Sequence, residues 1–145
     1  MDPNELARVV NIAVVVDRHV LLVRRSATDS LPGMWEIPGG AVEPDETFAH
    51  AAARELAEET GIRSDRLGEL LHLTGPAPRG FRQARIEVGL FLLRLDQRPV
   101  VVLTPSEHSE CGWCEPGELA RLPMMDINRS LAILACASLR TAPSR

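Results

Sequence analysis

The sequence predicts an α/β fold in which a mixed β-sheet is covered by helices. Three observations predict it. Runs rich in β-branched and apolar residues stand in both the first and the last part of the chain. A single Ala/Glu/Leu-rich segment with helical boundary signals is embedded between them, and a second Ala/Leu-rich segment lies near the end. Strands on both sides of one embedded helix, with a further helix at the end, suggest a sheet with helices packed against it.

Taken in order, Val9 to Val16 is a β-branched run, and HVLLVRR follows after Asp17-Arg18. That is a hairpin signal, although the turn is not of the preferred Asn-Gly type. SATDSLPG, from Ser26 to Gly33, is rich in turn formers and reads as a loop. MWEIPGGAVE carries a short apolar element into the Gly39-Gly40 pair. From Thr47 to Thr60 the chain is rich in Ala, Glu and Leu, with Asp45-Glu46 at its start and Gly61 at its end, which are helix start and stop signals. Arg66 to Leu73 and Arg82 to Leu95 read as strands, separated by the loop Gly75 to Gly80, whose two prolines are expected to keep it out of regular structure. Val100 to Leu103 is another β-branched run, and Trp113 is expected on or beside a last strand. PGELARL reads as a short helix. Leu131, Leu134 and Ala135 give helical spacing to a C-terminal helix from Asn128 to Arg140.

The 145 residues fit one domain, 1–145, with one substantial core. Hydrophobic content of 45% and charged content of 25% match an ordinary soluble globular protein. The net charge of −4 provides no global basic field, which argues against a nucleic-acid or acidic-membrane partner. No stretch approaches the ~20 apolar residues needed to span a bilayer. MDPNELARVV lacks the basic region of a secretory signal. Three cysteines, Cys111, Cys114 and Cys136, suit a reducing cytoplasm, where the protein is expected. Cys111 and Cys114 form a C-x-x-C, but no second pair is present to complete a zinc site, so small buried apolar residues are the expected reading.

The embedded helix raises a chemical question. Glu55, Glu58 and Glu59 lie at i, i+3 and i+4, so three like charges are expected on one face. A like-charge i,i+4 pair costs a few tenths of a kcal/mol, and Arg54, four residues before Glu58, offsets part of it. An exposed acidic face is the bland explanation. The surroundings point elsewhere. GAVEPDETFAHAAARELAEETGI, from Gly40 to Ile62, fits G-x5-E-x7-R-E-U-x-E-E-x-G-U at every specified position, U being a bulky aliphatic residue. Seven fixed identities coincide by chance on the order of once in a hundred million start sites.

This run, residues 40–62, resembles the signature of the Nudix hydrolases, and on it the chain is identified as a member, similar to the small MutT-like proteins. The resemblance implies the Nudix fold, a mixed sheet sandwiched between helices (α/β/α). It implies hydrolysis of a nucleoside diphosphate linked to another moiety by attack of water on phosphorus, releasing a nucleoside monophosphate. Carboxylates on one helix face make a hard oxygen site suited to Mg²⁺ or Mn²⁺. Such cations would bridge an acidic site and an anionic substrate, and would also polarise the phosphorus–oxygen bond.

Residue by residue, the resemblance makes Glu58 and Glu59 the principal metal ligands, with Glu55 either a ligand or the base that activates the attacking water. Arg54 would orient the set by pairing with Glu46 at the helix entrance. Gly39 is expected to offer its backbone carbonyl to the metal, since Gly-Gly permits close approach and positive φ. Many family members recruit a further glutamate from a loop outside the signature. Here Glu107 is chosen, six residues before Trp113, with Glu110 and Glu87 as rivals. His108 reads as a polar surface residue. Arg24, Arg25, Arg79, Arg82 and Arg85 are candidates to pair with phosphate, and Phe81 and Trp35 to stack on a base.

The substrate stays open at this point. The chain contains no Tyr, and so lacks the tyrosine that marks many diadenosine-polyphosphate hydrolases. Pro78 lies near where ADP-ribose hydrolysing members often carry a proline. Nucleoside triphosphates, including oxidised dGTP, fit the short length, and nucleotide sugars remain. A non-catalytic sensing module would be expected to show an eroded signature, and an RNA-decapping role a more basic surface. Dimers occur in the family, and no stretch of this sequence identifies an interface.

Overall fold

A computed structural model describes residues 5–140. The first four residues of MDPNELARVV lie outside the described residues, as do 141–145 of the expected domain. The order of elements is β1 (Leu6–Val16), β2 (His19–Arg25), β3 (Trp35–Glu36), β4 (Gly39–Ala41), α1 (Phe48–Thr60), β5 (Gly68–Pro76), β6 (Arg85–Leu95) and β7 (His108–Cys114), then a 3₁₀ segment (Pro116–Arg121) and α2 (Asp126–Arg140).

β1 is the organising strand. It runs parallel to β6 along its whole length, from Leu6 opposite Arg85 to Val16 opposite Leu95. On its other edge its first half pairs antiparallel with β4 and its end with β2. The sheet path is β3-β2-β1-β6-β5, with β7 added on β2. Strand alternation then sends successive β1 side chains to opposite faces. Val10, Ile12 and Val14 pack with Ala51, Ala52 and Leu56 of α1. Ala13 and Val15 pack with Leu131, Ala132 and Ala135 of α2. One sheet buried on both faces by helices is the predicted α/β/α layering, and it explains why β1 reads as a continuous apolar run.

The hairpin turn carries both central residues at positive φ, Asp17 at 47° and Arg18 at 67°. That is the primed-turn geometry, taken here without the Asn or Gly that adopts it most cheaply. α1 starts at a Thr47 cap, whose hydroxyl accepts from the His50 amide at 3.1 Å, and its first turn holds no acidic residue. The expected acidic start is therefore replaced by a hydroxyl cap. The helix ends at Gly61, φ 75°, with the Gly61 amide on the Ala57 carbonyl at 2.9 Å.

Three expectations need correction. β5 continues through Gly75 and Pro76, inside the segment expected to be loop; it is the edge strand, where a missing amide donor disturbs no ladder. The run 100–103 forms no strand, and Val100 and Val102 are 84% and 65% exposed. The Val102 amide bonds the Thr60 carbonyl at the end of α1 at 2.8 Å, and Val101 packs against the core on that side. The C-x-x-C cysteines are not buried apolar residues: Cys111 is exposed, Cys114 is half-buried, and only Cys136 is buried. Three residues apart on β7, Cys111 and Cys114 point to opposite faces and cannot share a ligand. No described helix is long and apolar enough to cross a membrane.

Candidate active site

The glutamates of α1 do not share one environment. Glu59 is 6% exposed, Glu55 is half-buried, and the Glu58 side chain is 58% exposed. The helical period explains the spread. Glu55 and Glu59 stand about 40° apart around the axis, whereas Glu58 and Glu59 stand about 100° apart. Glu55 and Glu59 line one cleft, whereas Glu58, expected as a principal ligand, does not line it.

Arg54 ties the group together. Its Nε donates to Glu46 Oε2 at 2.7 Å and its Nη2 to Glu46 Oε1 at 2.8 Å. Nη1 donates to Glu55 at 2.9 Å and to Glu58 at 3.2 Å, and Nη2 also reaches the Ala41 carbonyl at 3.0 Å. A forked guanidinium can serve three carboxylates at fixed angles, as a lysine could not. The Arg54 hydrogen bonds hold the Glu46 carboxyl at about 2, well below its usual range. Burial pushes the Glu55 carboxyl up, opposed by Arg54. Burial pushes Glu59 further, to about 9; the Gly39 amide opposes the shift and the charges of Glu55, Glu36 and Glu107 add to it.

The Gly39-Gly40 pair brings β4 against this helix face. A Cβ on Gly39 would lie 2.2 Å from the Val10 carbonyl oxygen, and one on Gly40 would lie 2.4 Å from Glu55 Cδ. Neither glycine has positive φ, so close approach is what the pair supplies. The recorded contact from Gly39 to the carboxylates is through its amide, which donates to Glu59 Oε2 at 2.8 Å.

Across the cleft, the 104–108 loop presents Glu107. Its carboxylate has no hydrogen bond or ion pair among the described residues, and its charge bears on both Glu55 and Glu59. The rivals lie elsewhere. Glu110 pairs with Arg24 at 2.7 Å, and Glu87 pairs with His72 and Arg8 on the α1 side of β6. Phe81 lines the cleft, whereas Trp35 lies outside it, with Arg24 5.9 Å from its ring. Of the arginines, Arg25 alone lines the cleft, and it is engaged by Glu36 and Asp29.

Glu36 was not singled out, and His108 was expected on the surface but is 3% exposed, with Nε2 2.9 Å from Glu36 Oε2. Ligand atoms of Glu36, Glu59 and His108 lie within 4.8 Å of one another. Alternation in Trp-Glu-Ile would place the acid opposite its two apolar neighbours, on the face a local reading assigns to solvent, so the sequence carries no local signal for Glu36.

The cleft holds about 350 Å³ and has two chemically distinct ends. One carries Glu36, Glu55, Glu59 and Glu107; the other is walled by Val9, Phe81, Ile86, Val88, Met125 and Ile127, with Asn128 beside them. Asn128 Oδ1 accepts from the Ile37 amide at 2.8 Å, which fixes the side-chain orientation. The oxygen-rich end fits a divalent cation. A buried carboxyl pushed up to about 9 by burial and by its acidic neighbours is the group such a cation would stabilise in its charged form.

The NUDIX domain family model matches residues 5–134. A CTP pyrophosphohydrolase of Escherichia coli (strain K12) is 31% identical over 137 residues, covering 90% of this chain and 95% of that protein. A putative 8-oxo-dGTP diphosphatase 2 of Mycobacterium tuberculosis is 34% identical over 107 residues, 70% of this chain and 75% of its own length. The crystal structure of a C. elegans Ap4A hydrolase binary complex superposes with a TM-score of 0.76 over 94% of this chain and 99% of that one. At 24% identity this likeness speaks for the fold.

Proposed function

With the chain belonging to the Nudix hydrolase family, as a pyrophosphohydrolase that acts on acid anhydrides of nucleotide type, we propose that it hydrolyses nucleoside triphosphates by divalent-metal-dependent attack of water on phosphorus. The products would be a nucleoside monophosphate and pyrophosphate. The observation that carries this reading is the two-ended cleft, four carboxylates at one end and an apolar box at the other. A polyphosphate belongs at the acidic end only with cations, and a planar base belongs between Phe81 and the β6 valine and isoleucine. The similarity to a CTP pyrophosphohydrolase and to an 8-oxo-dGTP diphosphatase supports a triphosphate over ADP-ribose or a nucleotide sugar.

The family is typically dependent on a divalent metal. Bound Mg²⁺ or Mn²⁺ would neutralise phosphate charge, polarise the phosphorus–oxygen bond and acidify water. Glu59 and Glu55, with Glu58 at the flank, are the residues that would hold it, and the Gly39 backbone borders the same place. Arg54 keeps Glu55 and Glu58 aimed and is itself fixed by Glu46. Glu107 faces the cleft with a free carboxylate and takes the proton from the attacking water as its oxygen bonds to phosphorus. The anhydride P–O bond breaks, and the pyrophosphate leaves with the bonding electron pair. Asn128 and the apolar wall hold the base. The whole chain, 1–145, acts as one domain of this kind, in the cytoplasm.

Turnover of a panel tests this: CTP and the other common triphosphates, 8-oxo-dGTP, ADP-ribose, nucleotide sugars and dinucleoside polyphosphates, with and without Mg²⁺. A triphosphate preferred over the rest and hydrolysed only with the metal is the expected result. Preference for ADP-ribose or a nucleotide sugar, or full rates in chelator, would contradict it.

A further inference from the structure

His108 is buried, yet its surroundings are not those of a packing residue. Its Nε2 meets Glu36 Oε2 at 2.9 Å, and its Nδ1 is buried with no hydrogen-bond partner. A buried acceptor without a partner costs stability, so an apolar residue would serve the core better. Glu36 is clamped from its other oxygen by Arg25 Nη1 at 3.1 Å, and Arg25 is itself fixed by Asp29 at 3.0 Å and by the Ser30 carbonyl at 2.7 Å. A carboxylate so held accepts, which assigns the Nε2 proton to the imidazole.

The backbone around His108 is built to the same end. β2 and β7 pair with a register shift between Arg24 and Arg25, Arg24 lying opposite Glu110 and Arg25 opposite His108. The extra residue, Ser109, turns the strand locally, as β-bulges do where a side chain must be re-aimed. Ser26 then pins the loop, its amide on the Glu107 carbonyl at 3.0 Å and its hydroxyl on the Ser106 carbonyl at 2.8 Å. On the opposite side Thr104 Oγ1 donates to the Glu58 carbonyl at 3.1 Å, joining the loop to α1. Glu107 sits between these anchors with a carboxylate that bonds to nothing among the described residues.

We infer that His108 is a positioning residue for the hydrolysis: through the Glu36–Arg25 clamp it fixes the 104–108 loop so that the Glu107 carboxylate faces Glu55 and Glu59 across the cleft. This rests on Glu107 as the proton acceptor. Each oxygen of Glu36 accepts a hydrogen bond, one from Arg25 and one from His108, which engages the Glu36–His108 pair in the clamp.

The test compares wild type, H108A, H108Q, E107Q and the H108A/E107Q double variant with Mg²⁺ and the preferred triphosphate. E107Q lowers kcat on the order of a hundredfold or more. H108A lowers kcat about 10- to 100-fold with KM within about threefold, the pattern of a residue acting through another. H108Q, whose amide nitrogen reaches the place of Nε2, restores most of the rate. The double variant is no slower than E107Q. Mn²⁺ affinity, read by electron paramagnetic resonance, falls in E59Q and, because His108 acts on the loop rather than on the cation ligands, holds within about threefold in H108A, short of the loss an outer-shell partner of the metal would cause.

Wild-type kcat in H108A with a slow E107Q, multiplied losses in the double variant, or a Mn²⁺ affinity lost in H108A as in E59Q would overturn the inference while leaving Glu107 in its role. Wild-type kcat in E107Q would overturn both. Should H108A fail to fold, E36A removes the same bond from the other side and must show the same kcat loss and the same lack of additivity with E107Q.

Discussion

Arg54 and Glu46 are joined by two parallel hydrogen bonds of 2.7 and 2.8 Å, and the rest of the Arg54 fork reaches Glu55 and Glu58. Glu46 stands before the helix cap and Arg54 within the helix, eight residues apart. The pair therefore ties the entry loop to the middle of α1 and orients the carboxylates from the side away from the cleft.

Replacing Arg54 by Lys keeps the charge and loses the fork. Glu55 is then free to rotate, and misplacement of about 1 Å is enough to lower kcat on the order of a hundredfold. Steady-state kinetics of Arg54→Lys checks this; unchanged kcat would show that the fork is dispensable.

Stability should depend on pH in opposite senses at the two ends of this network. Glu59 sits at about 9 in the folded protein against an ordinary 4.5, so the folded state holds the extra proton between those values. Its stability contribution is thus lost as pH rises from about 4.5 to about 9. Glu46, held at about 2, contributes stability that is present above about 4.5 and is lost as pH falls toward 2. Thermal melts in chelator should fall in Tm from pH 5 to 9, and Mg²⁺ or Glu59→Gln should flatten that slope. A metal-free melt indifferent to pH over this range would contradict the burial of Glu59.

The two glycines of β4 should fail differently. A Cβ at Gly39 meets backbone, the Val10 carbonyl at 2.2 Å, and nothing there can move cheaply. Gly39→Ala is expected to cost about 1–3 kcal/mol, seen as a lowered Tm. A Cβ at Gly40 meets the far end of Glu55, which can swing aside. Gly40→Ala should therefore keep most of its Tm and lose kcat on the order of a hundredfold through the displaced carboxylate. Melting and kinetics on both variants check the contrast; the reverse pattern would refute it.

Much of this was legible in the chain because it is local. The spacing of Gly40, Glu46, Arg54 and the three glutamates lies within 23 residues, and one helix with its entry loop realises it. The divergence of Glu58 from Glu59 is also present in the helical period, though three acids in five residues suggest one face. Glu36 and His108 were not legible, because their meeting depends on β3 and β7 flanking β2, at a sequence separation of 72. The same holds for Glu107: three acids were candidates by sequence, and tertiary structure engages two of them with Arg24 and His72. Pro76 was read as a strand breaker because edge position is not visible locally. The run 100–103 had strand composition but found no neighbouring ladder, and Val100 and Val102 stayed exposed while Val101 packed against the core.

The most direct test is Mg²⁺-dependent turnover of the preferred nucleoside triphosphate by wild type and Glu59→Gln side by side, with Tm recorded for both. The expected result is hydrolysis by the wild type only with the metal, and a Glu59→Gln variant slower on the order of a thousandfold with its Tm kept or raised. Wild-type rates in folded Glu59→Gln would contradict the assignment of the cation to the buried end of α1.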